Sequence, residues 1–261
     1  AAMAAQTLYR ATLRAIREGV AAGGGRMRIR QPVRSSAVQW LDGEAPQYHF
    51  VQETVESILQ PCFPCLFSEE DGSLLCDSTL WGGGVPLEMS RAQINAIARS
   101  RYSASNADAN KALDDGFSAL RSLTEQIELA ECTSVTRTEG ICIEASSAYC
   151  GRVAQDSDHV WVFSYRLRIR NESSTPVKLL ARQWCIKNKD GSIHAEVPRW
   201  GIGVVGQTPL LQPSSCFEYA SGSTLNQPGG SIEGALQMER CLDDKSHHVF
   251  EARVDPFPLK A

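Results

Sequence analysis

Near Thr138 the apolar residues of this chain stop recurring every three to four positions and begin to alternate every two. Helices need the first period and half-buried strands the second, so the chain has to build two different modules. Upstream, Tyr9, Leu13, Ile16 and Val20 fall at i, i+4, i+7 and i+11, one face of a helix. Arg10, Arg14 and Arg17 repeat that spacing on a second face, and Gly23-Gly24-Gly25 ends the helix. Ser90-Arg91-Ala92-Gln93 has the form of a capping box, opening a second helix with Ile94, Ile97, Ala98, Arg101 and Tyr102. Ser105 or Asn106 can cap a third, where Leu113, Phe117, Leu120, Thr124 and Ile127 keep the helical period. These stripes predict a three-helix bundle formed by residues 1–23 and 88–133, closed around Leu13, Ile16, Ile94, Ile97, Leu113, Phe117 and Leu120. Residues 24–87 read as an irregular acidic insertion. Within it lie one short helical stretch from Gln47 to Leu59, stopped by Pro61, and a Gly82-Gly83-Gly84 linker.

Downstream, Phe163, Tyr165, Leu167 and Ile169 point one way while Ser164, Arg166, Arg168 and Arg170 point the other, the pattern of a half-buried strand. Turn signals follow at Asn171–Pro176, Asn188–Gly191, Gln212–Ser215, Asn226–Gly230 and Asp243–Ser246, with short alternating runs between them. The spacing predicts an antiparallel β-sandwich over 138–261, with Phe163, Tyr165, Leu167, Ile169, Leu179 and Phe217 in its core. The fold class is therefore α + β in two modules.

Charge is distributed unevenly. Residues 1–34 hold seven arginines against the single acid Glu18, whereas residues 35–90 hold nine acids and no Lys or Arg. A basic N-terminal helix favours a partner of opposite sign. No apolar run reaches the roughly 20 residues of a membrane span, and Ala1–Ala5 runs into helical pattern without a secretory signal. The 9 cysteines have no framework spacing, which favours a reducing compartment.

Two family resemblances organise these segments. Tyr165–Asn171, Val177–Ile186 with its Leu-Leu-Ala-Arg-Gln-Trp core, Gly203–Pro209, Phe217–Gly222 and the closing Pro256-Phe257-Pro258-Leu259 make residues 141–261 resemble the ApaG family. That resemblance implies a fibronectin-like sandwich whose role is protein binding. Leu8-Tyr9-Arg10 is followed by Leu13-Arg14 and Arg17. Arg91, Ile97, Arg101 and Tyr102 come next, then Leu113-Asp114-Asp115-Gly116 and Leu120-Arg121-Ser122-Leu123. In that order they make the helical half similar to the LYR family of mitochondrial adaptors. The chain departs from that pattern in its long insertion and in Tyr102, where Phe is usual. The LYR resemblance implies docking of an acyl carrier protein through Tyr9, Arg10, Arg14, Arg17, Arg101 and Tyr102. The carrier's acyl-phosphopantetheine chain would enter the bundle.

The chemistry candidates are few. Gly201-Ile202-Gly203-Val204-Val205-Gly206 is a literal GxGxxG, but Pro209 and Pro213 follow where a dinucleotide site needs a helix. Cys62-Phe63-Pro64-Cys65, with Cys76 and His49, has the spacing of half a zinc site or a redox pair but lacks a second CxxC. His49, His159, His194, His247 and His248 are scattered, with no catalytic motif around them. The Arg166, Arg168 and Arg170 face has no interleaved aromatics, which points to a solvated or protein-contacting surface rather than RNA.

The expectation is a non-catalytic accessory or assembly subunit with no metal or cofactor of its own and no membrane span. Its partners are an acyl carrier protein and a large organellar complex, first the respiratory chain or ATP synthase, then the mitoribosome. The mitochondrial matrix is the expected site, with the plastid as alternative. Rival readings are a nucleotide-binding or hydrolytic ApaG enzyme and an RNA-contacting ribosomal protein.

Overall fold

In the computed structural model, described for residues 2–31, 33, 48–51, 60, 62–63, 88–104, 109–155, 158–202, 207–241 and 247–261, the chain divides into two compact units. One combines Ala1–Pro32 with Gln52–Ala130, the other Val33–Val51 with Glu131–Ala261.

The first unit is helical. Helix α1 spans Ala2–Ala22 and ends in the glycine triplet, where Gly24 and Gly25 take φ values of 68° and 102° and Gly25 N donates to Val20 O. Left-handed backbone of this kind suits glycine. Strand β1 (Arg26–Arg28) then turns back and pairs with β3 (Glu88–Ser90), Met27 opposite Met89. This two-stranded ribbon ties the neck of the long connection between the helices. Helix α2 (Arg91–Ala104) opens with the expected capping box. Ser90 N donates to Gln93 Oε1 at 2.9 Å, and Gln93 N donates back to Ser90 Oγ at 3.4 Å.

Helix α3 spans Ala109–Glu131 and runs parallel to α1. A Cβ placed on Gly116 would stand 3.3 Å from Leu8, and one on Gly19 would stand 3.2 Å from Ile127, so the two helices approach closely at both ends. The core joins Ile16, Val20, Met27, Ile29, Cys62, Phe63, Met89, Ile94, Ile97 and Leu123, with Leu13 and Leu120 packed against it. Phe117, expected in this core, is instead 61% exposed. Leu113, also expected there, is half-buried and lies outside this core; the face of α3 toward α1 passes through Gly116, Leu120, Leu123 and Ile127, and the close approach to Leu8 uses the glycine where a phenylalanine ring would not fit.

The insertion is not wholly irregular. Its Ile29, Cys62 and Phe63 belong to the helical core, and Tyr48–Phe50 forms strand β2 rather than the start of a helix. Residues 52–59, 64–87 and 105–108, with the remainder of the expected 47–59 helix, the glycine linker and the Ser105/Asn106 cap, lie outside the described residues.

The second unit is an antiparallel sandwich. Its strands are β4 (Thr133–Thr138), β5 (Ile141–Gln155), β6 (Asp158–Asn171), β7 (Val177–Asn188) and β8 (Ile193–Ile202). They continue with β9 (Leu210–Leu211), β10 (Cys216–Leu225), β11 (Gly229–Cys241) and β12 (His247–Lys260). One sheet has the order β2-β10-β6-β5-β4; the other has β12-β11-β7-β8, with β9 beside β7. All six expected core residues are buried, Phe163, Leu167, Ile169 and Leu179 completely. Along one side the sheets are stitched by hydroxyls. Thr136 Oγ1 and Thr138 Oγ1 accept from the backbone N–H groups of Asp255 and Arg253, and Ser134 Oγ donates to Asp255 O. These bonds occupy backbone groups of β12 that an edge strand leaves open.

Candidate functional site

Helix α1 presents the stripe expected of it. Arg10, Arg14 and Arg17 are all exposed, and their spacing holds them within roughly 60° of arc along about 10 Å of helix. Leu8, Tyr9 and Leu13 beside them are half-buried, so an apolar shoulder adjoins the basic row. Glu18 is exposed one residue beyond Arg17, which bounds the positive field toward the helix C-terminus. Arg101 and Tyr102 belong to α2, but their side chains lie outside the described residues. Among the described residues the stripe is carried by α1.

Of the metal candidates, only the Cys62 side chain lies among the described residues. Cys62 is 2% exposed, and its Sγ donates to Arg30 O at 3.0 Å, the behaviour of a packed structural thiol. Cys65 and Cys76 lie outside the described residues. Among the described residues no group of three or more metal-ligating side chains comes together. Gly201 and Ile202 end strand β8, Gly203–Gly206 lie outside the described residues, and Leu210–Leu211 is a strand where a dinucleotide site needs a helix. His248 Nε2 lies 2.9 Å from Glu139 Oε2 and its ring stacks on Phe250, an exposed side-chain contact.

The β6 arginines depart from expectation. Arg166 and Arg168 are 3% and 5% exposed and Ser164 is fully buried, so β6 is buried on both faces rather than half-solvated. Register explains how charge is tolerated there. Arg168 sits between Glu144 of β5 and Glu218 of β10, with Nε 3.0 Å from Glu218 Oε2, and Arg166 Nε lies 3.9 Å from the same oxygen. Buried charges persist when they are paired in this way.

Two features were not read from the sequence. On β8, residues Pro198, Arg199 and Trp200 bulge out opposite Gln183, because Gly201 pairs with Arg182 and Val197 with Trp184. Trp200 takes φ 66° and is 48% exposed, while Arg199 is fastened to Glu251 at 2.6 Å. The second feature is polar and internal. Tyr165, Tyr219 and Trp184 are buried in the sandwich core, and Arg182 acts electrostatically on both tyrosines. Burial drives both phenols above their ordinary pKa, Tyr219 well above, and the Arg182 charge only partly offsets it.

Comparison with known proteins bears on the sandwich. The ApaG domain family matches residues 152–240. Protein ApaG of Anaeromyxobacter dehalogenans is 38% identical over 126 residues, 48% of this chain and 94% of its own length. Protein ApaG of Shewanella pealeana is 35% identical over 119 residues, 46% of this chain and 89% of its own length. A solved structure of an ApaA protein from Bordetella pertussis aligns at 30% identity over 46% of this chain and 92% of that one, with a TM-score of 0.39. Nearly the whole length of these curated relatives is matched at more than a third identity, and the chain belongs to the ApaG family through its C-terminal half.

Proposed function

We propose that this protein is a non-catalytic adaptor. Its helical unit docks an acidic protein partner along α1, and its ApaG sandwich anchors the pair to a larger assembly. The observation that carries the reading is the exposed Arg10, Arg14 and Arg17 row running beside half-buried Leu8, Tyr9 and Leu13. The resemblance of this helix to LYR adaptors makes an acyl carrier protein the proposed partner. By the same reasoning, an organellar complex of the mitochondrial matrix is the proposed setting.

Magnitudes divide the labour. Exposed ion pairs contribute about 0.2–1 kcal/mol each, so three arginines chiefly orient and steer. Burying an acyl chain of about ten carbons contributes up to about 8 kcal/mol, at about 0.8 kcal/mol per CH₂. The chain would supply the affinity and the arginines the choice of partner. An RNA-contacting reading loses two of its three carriers, since Arg166 and Arg168 are buried and paired with Glu218.

Replacing Arg10, Arg14 and Arg17 together by Glu tests the proposal. These exposed positions leave the core untouched, so circular dichroism should stay unchanged. Recovery of co-expressed acyl carrier protein in a pull-down should fall to background, because like charges then face each other. Undiminished recovery by the folded variant would reduce the row to a solvated helix face.

A further inference from the structure

The edge of a sheet is a row of unpaired N–H and C=O groups, and folded chains cover or blunt it. In the sandwich, β4 and β12 close on each other through their hydroxyl seam, and β10 takes β2 along Phe217–Tyr219. Strand β8 (Ile193–Ile202) is treated differently. It pairs with β7 on one side, and no strand among the described residues pairs with the other. Its Ala195, Glu196, Pro198 and Arg199 are exposed, as are Ile193 by 59% and Trp200 by 48%.

Register decides which of these side chains share a face. Val197 pairs with Trp184 and packs on the core, so it points inward. Glu196 pairs with Cys185, and Ile193 pairs with Lys187 beyond a bulge that leaves His194 outside the ladder. Both therefore point to the outer face, where Lys187 is held by Glu233. Arg199 lies on that face too, because it reaches Glu251, whose neighbours Phe250 and Ala252 fill the core. Its guanidinium stands 5.8 Å over the Trp200 ring. The edge thus presents an isoleucine, a carboxylate and an indole in order along one face. Trp200 is held there at φ 66°, a rare backbone for a bulky side chain and one that collects where ligands are gripped. Lys187 and Arg199 are each taken up by an acid, whereas Glu196 has no ion-pair partner among the described residues. The charge left over on this edge is negative.

We propose that β8 accepts an extended segment of a partner protein as an added strand. Apolar side chains of that segment lie beside Ile193 and Trp200, and a basic one between them lies beside Glu196. The backbone of Ile193–Val197 supplies the hydrogen bonds, and the ladder stops at Pro198, which has no N–H to give. Trp200 is the aromatic anchor, and Glu196 selects the segment by charge. A second copy of β8 does not match. Paired about Ala195, it sets Ile193 of the outer face against Val197 of the inner one; paired about Glu196, it opposes like charges. The assignment concerns the sandwich alone and stands whether or not α1 docks an acyl carrier protein.

Amide resonances of the full-length chain test it. The probe is a capped peptide of sequence Thr-Val-Thr-Lys-Thr-Val-Thr, with a twin carrying Glu in place of Lys. Amides from Ile193 to Val197 should shift saturably with the Lys peptide. The Glu peptide should bind roughly tenfold more weakly, and Glu196→Lys should reverse that preference. Trp200→Ala, at an exposed position, should keep the fold and weaken binding roughly tenfold. An added strand bonds through alternate residues. Methylating the amide nitrogens of the Thr residues in one peptide, and those of Val and Lys in another, should therefore abolish binding in one case and spare it in the other. No saturable shift, shifts confined to other strands, equal binding of the Lys and Glu peptides, or tolerance of both methylation patterns would overturn the proposal. So would sedimentation of the free chain as a dimer that Ile193→Asp dissociates, since the edge would then belong to a second copy.

Discussion

The side-chain amide of Gln126 pairs with both main-chain groups of Arg30. Gln126 Oε1 accepts from Arg30 N at 2.8 Å, and Gln126 Nε2 donates to Arg30 O at 2.6 Å. The glutamine thus acts as one rung of a strand, fastening the start of the long connection to α3, and it is 2% exposed. Water cannot take its place there.

Gln126→Leu should therefore leave a buried N–H without its acceptor and a carbonyl with one donor fewer. A loss of about 1–3 kcal/mol is expected, read as a lower urea midpoint for the transition followed by helical circular dichroism. Gln126→Glu should lose as much or more, since a carboxylate can accept from Arg30 N but cannot donate to Arg30 O. A midpoint unchanged in both variants would mean that Arg30 finds other partners.

Glu218 makes a second prediction. It is the carboxylate shared by Arg166 and Arg168 on the buried face of β6. Glu218→Gln keeps shape but takes one carboxylate from two buried guanidinium groups. A loss of about 3–5 kcal/mol is the usual result of removing one partner from a buried pair. Adding Arg168→Met to that variant should recover part of it, and equilibrium unfolding of the single and double variants measures the recovery. Strict additivity of the two changes would count against a coupled pair.

The periods along the sequence carried most of this architecture. The helical stripe of α1 and the capping box at Ser90 fall where expected, as do the core positions of β6, because each depends on residues near in sequence. What escaped the sequence depends on partners far away. Phe117 keeps the helical period as well as Leu120 does, and only the approach of Leu8 to Gly116 decides which of them faces inward. Strand β2 is too short to carry a pattern, and exists because β10 offers it an edge, with Val51 N donating to Cys216 O. Arg182 is hidden by a bulge. Strict alternation from Val177 and Leu179 turns residue 182 outward, but Gln237 pairs with Ala181 and Met238 with Leu179. Leu180 is thus the extra residue, and Arg182 swings onto the core face with Trp184. A single inserted residue reverses the alternation beyond it.

The two buried phenols make the last prediction, at alkaline pH. Burial raises the pKa of Tyr165, and raises that of Tyr219 well above 10.0, against smaller opposing effects of Arg182 and of the hydrogen bonds that Tyr165 makes with Ser221 and Tyr219 with Trp184. Unfolded tyrosines titrate near 10, so the folded chain holds these two protons more tightly than the unfolded chain does. Their contribution to stability is complete below about pH 10 and declines as pH rises from there toward the folded-state values. In an absorbance titration of phenolate formation, the accessible members of the 6 tyrosines should ionise first. Tyr165 and Tyr219 should ionise only as β-sheet circular dichroism is lost. Tyr219→Phe removes the more strongly shifted group, so its unfolding should start at higher pH with one fewer late-titrating phenol. If all six ionise together near 10 while the sheet signal stays intact, solvent reaches these hydroxyls and the interior of the sandwich is open to water.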